Sequence, residues 1–459
     1  MRQKEMAEAL PRKVTMTKCW LKRFLVACTA LSLTACSLDF LSGVRPQPAP
    51  VPAKATVDPA NDRAVAPAAQ AVPSAVSLPA APVPPPPAPA TDAAPVAPPV
   101  QLAPLPAREQ SGIAPAGDRT SALVEKPDFS YHNATLAEDT VWRGLVQVEG
   151  WVTVPPQVTL RVEAGTTVRF VSAEGGKGGL LVQGRLVAAG NSDQPILFAS
   201  AFRNSAAGDW QGIVLLASDK KNVMEECRIE GAVNGLQALF AQVTLHSLTL
   251  ASCETGLSFR DAFAGIAGSG VSGCSVGVRA VESELELRDT SISSNRQGMV
   301  VSGGSLYLAS ATLYGNDKTA LTADNTRLQA SGSSFTVNGT GMRLNGCDGA
   351  ISYCRFLNNR EAGLHLVGSR LRVNGNDISQ NSGVGLRIVE GGNVLWGNVL
   401  AANNSHDLEY EGAADLFAMG NWWGETEPSR IPERIRILGG AGGGVLYQPP
   451  LTLRPQFGF

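Results

Sequence analysis

Residues 338–380 decide the fold, because they contain the same pattern of residues twice in succession. Asn338 to Asn358 reads NGTGMRLNGCDGAISYCRFLN, and Asn359 to Gln380 reads NREAGLHLVGSRLRVNGNDISQ. Both segments begin with Asn and place a Gly and then an apolar residue a few positions later. The same asparagine recurs every 21 or 22 residues, at Asn295, Asn316, Asn338, Asn359, Asn381 and Asn403. A fixed period of this length indicates a stacked solenoid.

Within each period the chain alternates apolar and polar residues in three short segments. In one period these segments are 354–356, 364–366 and 371–373. Such alternation predicts strands with one buried face, so each period should wind once around a core and pair in parallel with its neighbours. The apolar residue of each period should then join one buried column, made of Leu257, Val278, Met299, Leu321, Met342, Leu364, Leu386 and Leu408.

A leucine-rich repeat is the main alternative, because it has a similar period and an asparagine ladder. Those repeats have one strand per period and the string Leu-x-x-Leu-x-Leu-x-x-Asn, which this chain lacks. No stretch of ten or more residues in the repeat region keeps a helical period free of Gly and Asn. The sequence therefore predicts an all-β fold, a parallel β-helix solenoid of roughly 21–22-residue coils over residues 128–459.

The recurrent asparagine is interpreted as structural. Asn tolerates left-handed backbone geometry, and stacked side-chain amides can hydrogen-bond from coil to coil. Extending the series backwards places Cys274 and Cys253 at the same position, as small buried members. Neighbouring coils would bring two such cysteines within the range that a disulfide needs, so a disulfide and a pair of free thiols both stay open.

The N-terminus carries a secretory signal. A basic segment and an apolar run precede Leu-Thr-Ala-Cys, which ends at Cys36. This string resembles the bacterial lipoprotein box, and the resemblance implies cleavage before Cys36 and acylation of its thiol. Residues 1–35 are then a lipoprotein signal peptide, with translation starting at Met1 or Met16, and residues 36–45 are the lipid-anchored N-terminus. Ser37 after the cysteine favours the outer membrane.

The composition of residues 46–127 predicts a disordered linker. They are rich in Pro and Ala, and aromatic residues are absent from them, so they cannot bury a core. Proline fixes φ and removes backbone donors, which favours an extended spacer between membrane and folded domain.

The end of the domain carries a recognisable motif. Asn421-Trp422-Trp423-Gly424, followed by Val445-x-Tyr-x-Pro, resembles a closing motif of bacterial β-helix proteins. The two tryptophans are expected to cap the core, since a solenoid must cover its last coil. Together with the three-strand coils, this motif resembles the right-handed parallel β-helix of the pectin-lyase-like superfamily. That superfamily includes polysaccharide lyases, glycoside hydrolases and non-catalytic repeat proteins, so the resemblance implies a fold and leaves the activity open.

One outward position gives a candidate ligand-binding surface. Two residues past the recurrent Gly, successive coils carry Arg343, His365 and Arg387, which should stand about 5 Å apart. An anion-binding row, for instance for an acidic glycan, is one interpretation. The alternative is a solvated face whose charge is compensated by acids such as Glu361, Glu390 and Glu409.

A second candidate surface lies just beyond those strands. Its residues mix carboxylates with arginines, as pectate lyases do for calcium binding and catalysis: Asp324, Arg327, Asp348 and Arg370, with Asn345. Asp-Pro-His, Gly-His-Gly and Arg-x-Pro-x-x-Arg motifs are absent. This rim therefore gives no assigned catalytic residue, and calcium enters only under the lyase alternative.

The sequence favours a non-catalytic, outer-membrane-anchored lipoprotein that binds envelope polysaccharide or a protein partner. The alternative is a polysaccharide lyase or glycoside hydrolase, and a third hypothesis is a structural spacer in the envelope. A formal net charge of −2 argues against nucleic acid as a partner. Neither a metal site nor a cofactor is predicted, because the cysteines show no metal-ligand spacing and only three histidines, His246, His365 and His406, lie in the regular coils.

Overall fold

The computed structural model describes residues 126–172, 176–424, 427–439 and 442–458. The predicted signal peptide, Cys36 and nearly all of the predicted linker lie outside these residues. The described part is a parallel β-solenoid with three strand ladders, and its strands are numbered in chain order. At the N-terminal end β1 (Phe129–Thr135) pairs with β3 (Leu145–Val154), and β3 in turn pairs with strands of two different ladders.

The first ladder holds the longest strand of most coils, and its members pair in parallel from the first to the last. They are β6 (Gly179–Val182), β9 (Trp210–Leu216), β12 (Ala232–Leu239), β15 (Thr255–Arg260), β18 (Val276–Val281), β21 (Gln297–Ser302), β24 (Thr319–Asp324), β27 (Thr340–Asn345), β30 (Ala362–Val367), β33 (Val384–Val389), β36 (Leu408–Glu411) and β38 (Ile435–Ile437).

The second ladder is a sheet of 14 strands. They are β2 (Thr140–Trp142), β4 (Thr159–Val162), β7 (Arg185–Ala189), β10 (Lys221–Glu225), β13 (Gln242–His246), β16 (Phe263–Ala267), β19 (Glu284–Arg288), β22 (Ser305–Ala309), β25 (Arg327–Ser331), β28 (Asp348–Ser352), β31 (Arg370–Asn374), β34 (Val394–Trp396), β37 (Leu416–Phe417) and β39 (Val445–Leu446).

The third ladder has short strands, and one 3₁₀ helix lies between β37 and β38 in the chain. The strands are β5 (Thr167–Val171), β8 (Ile196–Ser200), β11 (Cys227–Glu230), β14 (Thr249–Ala251), β17 (Gly270–Ser272), β20 (Ser291–Ser293), β23 (Thr312–Tyr314), β26 (Ser334–Thr336), β29 (Arg355–Leu357), β32 (Asp377–Ser379) and β35 (Val399–Ala401), and the helix is η1 (Pro428–Arg434). Among the described residues, no helix is long and apolar enough to cross a membrane.

The core consists of apolar columns that run through the coils. The column predicted from Leu257 to Leu408 is confirmed, because its members are consecutive register partners in the first ladder and all are fully buried. On the third ladder Phe335 and Phe356 stack in the same way, with ring centroids 5.0 Å apart. Burial of this kind stabilises by about 25 cal/mol per Å² of apolar surface, so the stacking of like residues holds the coils in register.

The asparagine ladder is structural, as predicted. The side-chain Oδ1 of Asn338 accepts hydrogen bonds from two groups of Asn316, the backbone N at 2.9 Å and the side-chain Nδ2 at 3.0 Å. The Nδ2 of Asn338 donates to the backbone oxygen of Leu313 at 2.9 Å. Asn359 makes the equivalent bonds with Asn338 and Phe335. Each amide thus satisfies turn backbone groups of the coil before it, which would otherwise be buried without partners.

A second, shorter ladder was not predicted. At the turn that follows the second ladder of strands, Asn376 Nδ2 donates to Asn398 Oδ1 at 2.9 Å, and Asn398 Nδ2 donates to Asn421 Oδ1 at 2.9 Å. All three are fully buried. The pattern has only three members at steps of 22 and 23, so it is too short to stand out in the sequence.

The cysteines of the described region are free and buried. Cys274 heads the asparagine ladder as expected, because its backbone N donates to Asn295 Oδ1 at 2.9 Å. Cys253 lies at the equivalent position one coil earlier, since Ala251 and Ser272 are register partners. Of the two alternatives for this pair, the structure holds free thiols.

The last coil is closed by the C-terminal segment. Trp423 is 2% exposed and packs edge-on against Tyr447, with centroids 6.5 Å apart. Trp422 packs against Val399 and Ala401. The capping role predicted for the two tryptophans is therefore confirmed.

Candidate functional site

The candidate site is a row of charged side chains on the outer face of the first ladder. Arg343, His365 and Arg387 are consecutive register partners on β27, β30 and β33, as predicted. The row continues through Glu409 on β36 to Arg436 on β38. Because parallel strands lie about 4.8 Å apart, these five side chains form a continuous row of three arginines, one histidine and one glutamate, which we call the basic row.

Glu409 is the one acid of the basic row, and its side chain is only 7% exposed. Its carboxylate lies 3.6 Å from Arg387 Nε, 3.6 Å from Arg436 Nη1 and 3.8 Å from His406 Nδ1. A buried carboxylate is costly unless basic groups compensate it. Glu409, one of the acids named in the solvated-face alternative, thus offsets part of the positive charge, and its one carboxylate is shared among several basic groups.

The other two acids considered for compensation act elsewhere. Glu361 Oε2 accepts a hydrogen bond from the hydroxyl of Thr340 at 3.1 Å. Glu390 forms no ion pair among the described residues. Burial raises the pKa of the nearby Tyr410 hydroxyl, and the negative charge of Glu390 acts in the same direction. Arg343, which is exposed, has no acidic partner in the described part of the chain. The row therefore keeps a positive balance.

His365 is uncharged at neutral pH. Burial lowers the pKa of its imidazole to about 4, and the neighbouring guanidinium groups of Arg343 and Arg387 lower it in the same direction. A neutral imidazole between two arginines relieves the repulsion that a third positive charge would add. The arginines thus supply the positive charge near pH 7, and His365 supplies a hydrogen-bonding group.

Arg387 has unused hydrogen-bonding capacity. Its Nε is buried but has no hydrogen-bond acceptor, since the 3.6 Å approach to Glu409 is longer than a hydrogen bond. A guanidinium presents five donors in a planar fork that matches a carboxylate. Arg343, two coils earlier, is exposed and has no ion-pair partner among the described residues.

The second predicted surface, the rim, is assembled as expected in space. Arg327, Asp348 and Arg370 are consecutive partners on the second ladder, and Asp324 adjoins Asn345 on the first. Arg370 Nε donates to Asp348 Oδ1 at 2.9 Å, with both side chains more than half exposed. Exposed ion pairs of this kind contribute little to stability.

The rim carries no metal-binding cluster. Among the described residues, no group of three or more His, Cys, Asp or Glu side chains is arranged to hold a metal ion. Asp348 is paired with Arg370, and its side chain is more than half exposed.

Two residues of the basic row's surroundings were missed by sequence reasoning. Arg436 follows η1 in the irregular closing segment, where the repeat gives no register. His406 lies between Asn403 and Glu409, in the turn before β36. The sequence signal for His406 was its position three residues before Glu409. The 3.8 Å distance from His406 Nδ1 to the Glu409 carboxylate shows that the two side chains meet.

Two family models match this chain and decide its family. The model described as right handed beta helix region matches residues 256–405, and the model described as pectate-lyase like beta helix domain matches residues 131–235. The chain is a pectate-lyase-like right-handed β-helix repeat protein. The resemblance seen in the sequence is thereby confirmed, and both matches fall within the β-helix described above.

Solved structures similar to this β-helix protein include two epimerases and a tailspike. The periplasmic alginate epimerase AlgG is 12% identical, with 65% of this chain and 78% of that chain covered and a TM-score of 0.41. The A-module of the Azotobacter vinelandii mannuronan C-5 epimerase AlgE6 is 12% identical, with 68% and 91% covered and a TM-score of 0.41. The Dettilon tailspike protein (gp208) is 10% identical, with 65% of this chain and 62% of that chain covered and a TM-score of 0.24. No curated protein is significantly similar to the β-helix protein.

Proposed function

We propose that this β-helix protein is a non-catalytic module that binds an acidic polysaccharide of the bacterial envelope along the basic row. The observation that carries the proposal is the positive balance of that row. Arg343 has no acidic partner within the described part of the chain, and the single carboxylate of Glu409 is shared by Arg387, Arg436 and His406. A linear polyanion offers one charged group after another, and the coils repeat basic groups along one line.

The surroundings of the basic row support binding more than bond cleavage. Glycoside hydrolysis requires two carboxyl groups that face each other across the scissile bond, and the row contains one carboxylate, already in contact with basic groups. Elimination would use the rim, where Asp348 is paired with Arg370. A polysaccharide lyase or hydrolase at the rim is the alternative function.

The proposed location is the outer membrane, through a lipid on Cys36. The lipoprotein-box resemblance of residues 33–36 supports this anchor, and the Pro-rich linker would hold the β-helix away from the bilayer.

A screen of acidic polysaccharides against the purified protein, with and without calcium, tests the proposed function. We expect retention of at least one carboxylated polymer, weakening of that binding as salt increases, and unchanged polymer length in both conditions. The formation of unsaturated products or new reducing ends would contradict the non-catalytic proposal and favour the rim enzyme.

A further inference from the structure

The arginines of the basic row occupy every second coil. In the order of the coils the row reads Arg343, His365, Arg387, Glu409 and Arg436, and each residue is the register partner of the next. One imidazole and one carboxylate therefore separate the three guanidinium groups. Since neighbouring strands lie about 4.8 Å apart, successive arginines of the row are about 9.6 Å apart and the whole row spans about 19 Å.

Glu409 makes its own coil unfavourable for an anion. Its side chain is 7% exposed, and its carboxylate lies 3.6 Å from Arg387 Nε and 3.6 Å from Arg436 Nη1. A ligand carboxylate placed between these two arginines would therefore meet a like charge. Ligand anions are attracted to the coils on either side of Glu409 and disfavoured at the coil between them.

The coil of His365 also lacks a positive charge at neutral pH. Burial lowers the pKa of this imidazole to about 4, and the guanidinium groups of Arg343 and Arg387 act in the same direction. A neutral imidazole donates one hydrogen bond and accepts another, which suits a hydroxyl group. Over five coils the row thus alternates between positive positions and positions that are neutral or acidic.

The alternating pattern begins at Arg343. Its register partner on the preceding coil is Thr322, whose own partner one coil earlier is Val300, and neither of these side chains is charged. Arg343 is exposed and has no ion-pair partner in the part of the chain that the structure describes. A ligand that uses all three arginines would therefore cover five coils and would make its first charged contact here.

We propose that the basic row selects a polysaccharide that presents one carboxylate to the protein for every two sugar units. Each ring of an extended polysaccharide advances the chain by nearly the spacing of one coil, so carboxylates on alternate sugars would reach the three arginines. The sugars between them would lie over His365 and Glu409, which both accept hydrogen bonds from hydroxyl groups. This inference rests on the proposed function and adds the charge spacing of the ligand.

Moving one arginine by one coil tests this spacing. A hexasaccharide of alternating glucuronate and N-acetylglucosamine is titrated calorimetrically into the purified full chain at pH 7. We expect Arg343→Thr to bind it at least about tenfold more weakly than the wild type, because one charge-assisted contact is lost. The variant Thr322→Arg/Arg343→Thr restores the net charge one coil away from the original position, and it should bind as weakly as Arg343→Thr.

Arg372→Thr is the matched control, because Arg372 is an exposed arginine on β31 of the second ladder and lies outside the row. It should keep the wild-type affinity, and all variants should keep the wild-type denaturation midpoint. Recovery of wild-type affinity by Thr322→Arg/Arg343→Thr would overturn the spacing and leave the proposed function in place, since only net charge would then count.

The wild-type protein also distinguishes the two proposals. Binding of another carboxylated polymer together with no binding of the hexasaccharide would overturn the spacing alone. Absence of binding to every acidic polysaccharide would overturn the spacing and the proposed function together.

Discussion

Replacing Arg434 by methionine should lower the free energy of unfolding by about 3–5 kcal/mol, because it leaves a buried carboxylate without its partner. Arg434 Nε donates to Asp407 Oδ2 at 2.8 Å, and its Nη2 donates to Asp407 Oδ1 at 3.1 Å. The Asp407 side chain is 1% exposed. Asp407 Oδ1 also accepts from Asn403 Nδ2 at 2.8 Å, so this ion pair terminates the asparagine ladder. Urea denaturation followed by circular dichroism measures the loss.

Arg430→Met is the matched control, since it makes the same change in the same 3₁₀ helix. Arg430 pairs with Glu433 at 3.0 Å, and both side chains are more than 60% exposed. An exposed pair contributes about 0–1 kcal/mol. Equal effects of the two substitutions would show that the Asp407–Arg434 pair does not close the ladder.

Replacing Asn338 by alanine should cost about 4 kcal/mol, since two buried backbone groups lose their partners at about 1–3 kcal/mol each and a small cavity is added. The Asn316 backbone N loses its acceptor, and the Leu313 oxygen loses its donor. Because each coil contacts only its neighbours, the damage should be concentrated in the adjoining coils. Hydrogen exchange should therefore show faster exchange there than in distant coils.

Asn345→Ala controls for the loss of an asparagine from the same coil. Asn345 ends β27 and its side chain is exposed, so we expect a change within about 0.5 kcal/mol. A similarly small effect of Asn338→Ala would contradict the structural interpretation of the ladder.

The coils were predictable because stacking imposes local rules at every step. A residue such as Leu364 must be apolar since it faces its equivalents above and below, and a turn residue such as Asn359 must bond to the coil before it. These demands recur with the period and can be counted in the sequence. The same period predicted the neighbours of His365 correctly.

The closing coil was not predictable in this way. The amide ladder ends at Asn403, which donates to Asp407. Asp407 lies only four residues later, whereas every other partner in the ladder lies one period of 21 or 22 residues later. Beyond that point Arg434 and Arg436 reach their partners through a 3₁₀ helix and a short strand, whose register the repeat does not set.

The charge state of the basic row also required the structure. The sequence showed Arg343, His365 and Arg387 as equivalent members of one position. Burial and two neighbouring guanidinium groups then set His365 apart, since they lower its pKa to about 4. The contact with Glu409 likewise distinguishes Arg387 from Arg343, which has no acidic partner among the residues that the structure describes.

The most direct test of the account is the affinity for a carboxylated polysaccharide at pH 7, compared between the wild-type protein and the variant Arg343→Gln/His365→Gln/Arg387→Gln. His365→Gln alone is the control, since His365 is uncharged at this pH. We predict that the single variant binds like the wild type and that the triple variant binds at least about tenfold more weakly, because two charge-assisted contacts are lost. Equal affinity of the triple variant and the wild type would contradict the assignment of the basic row.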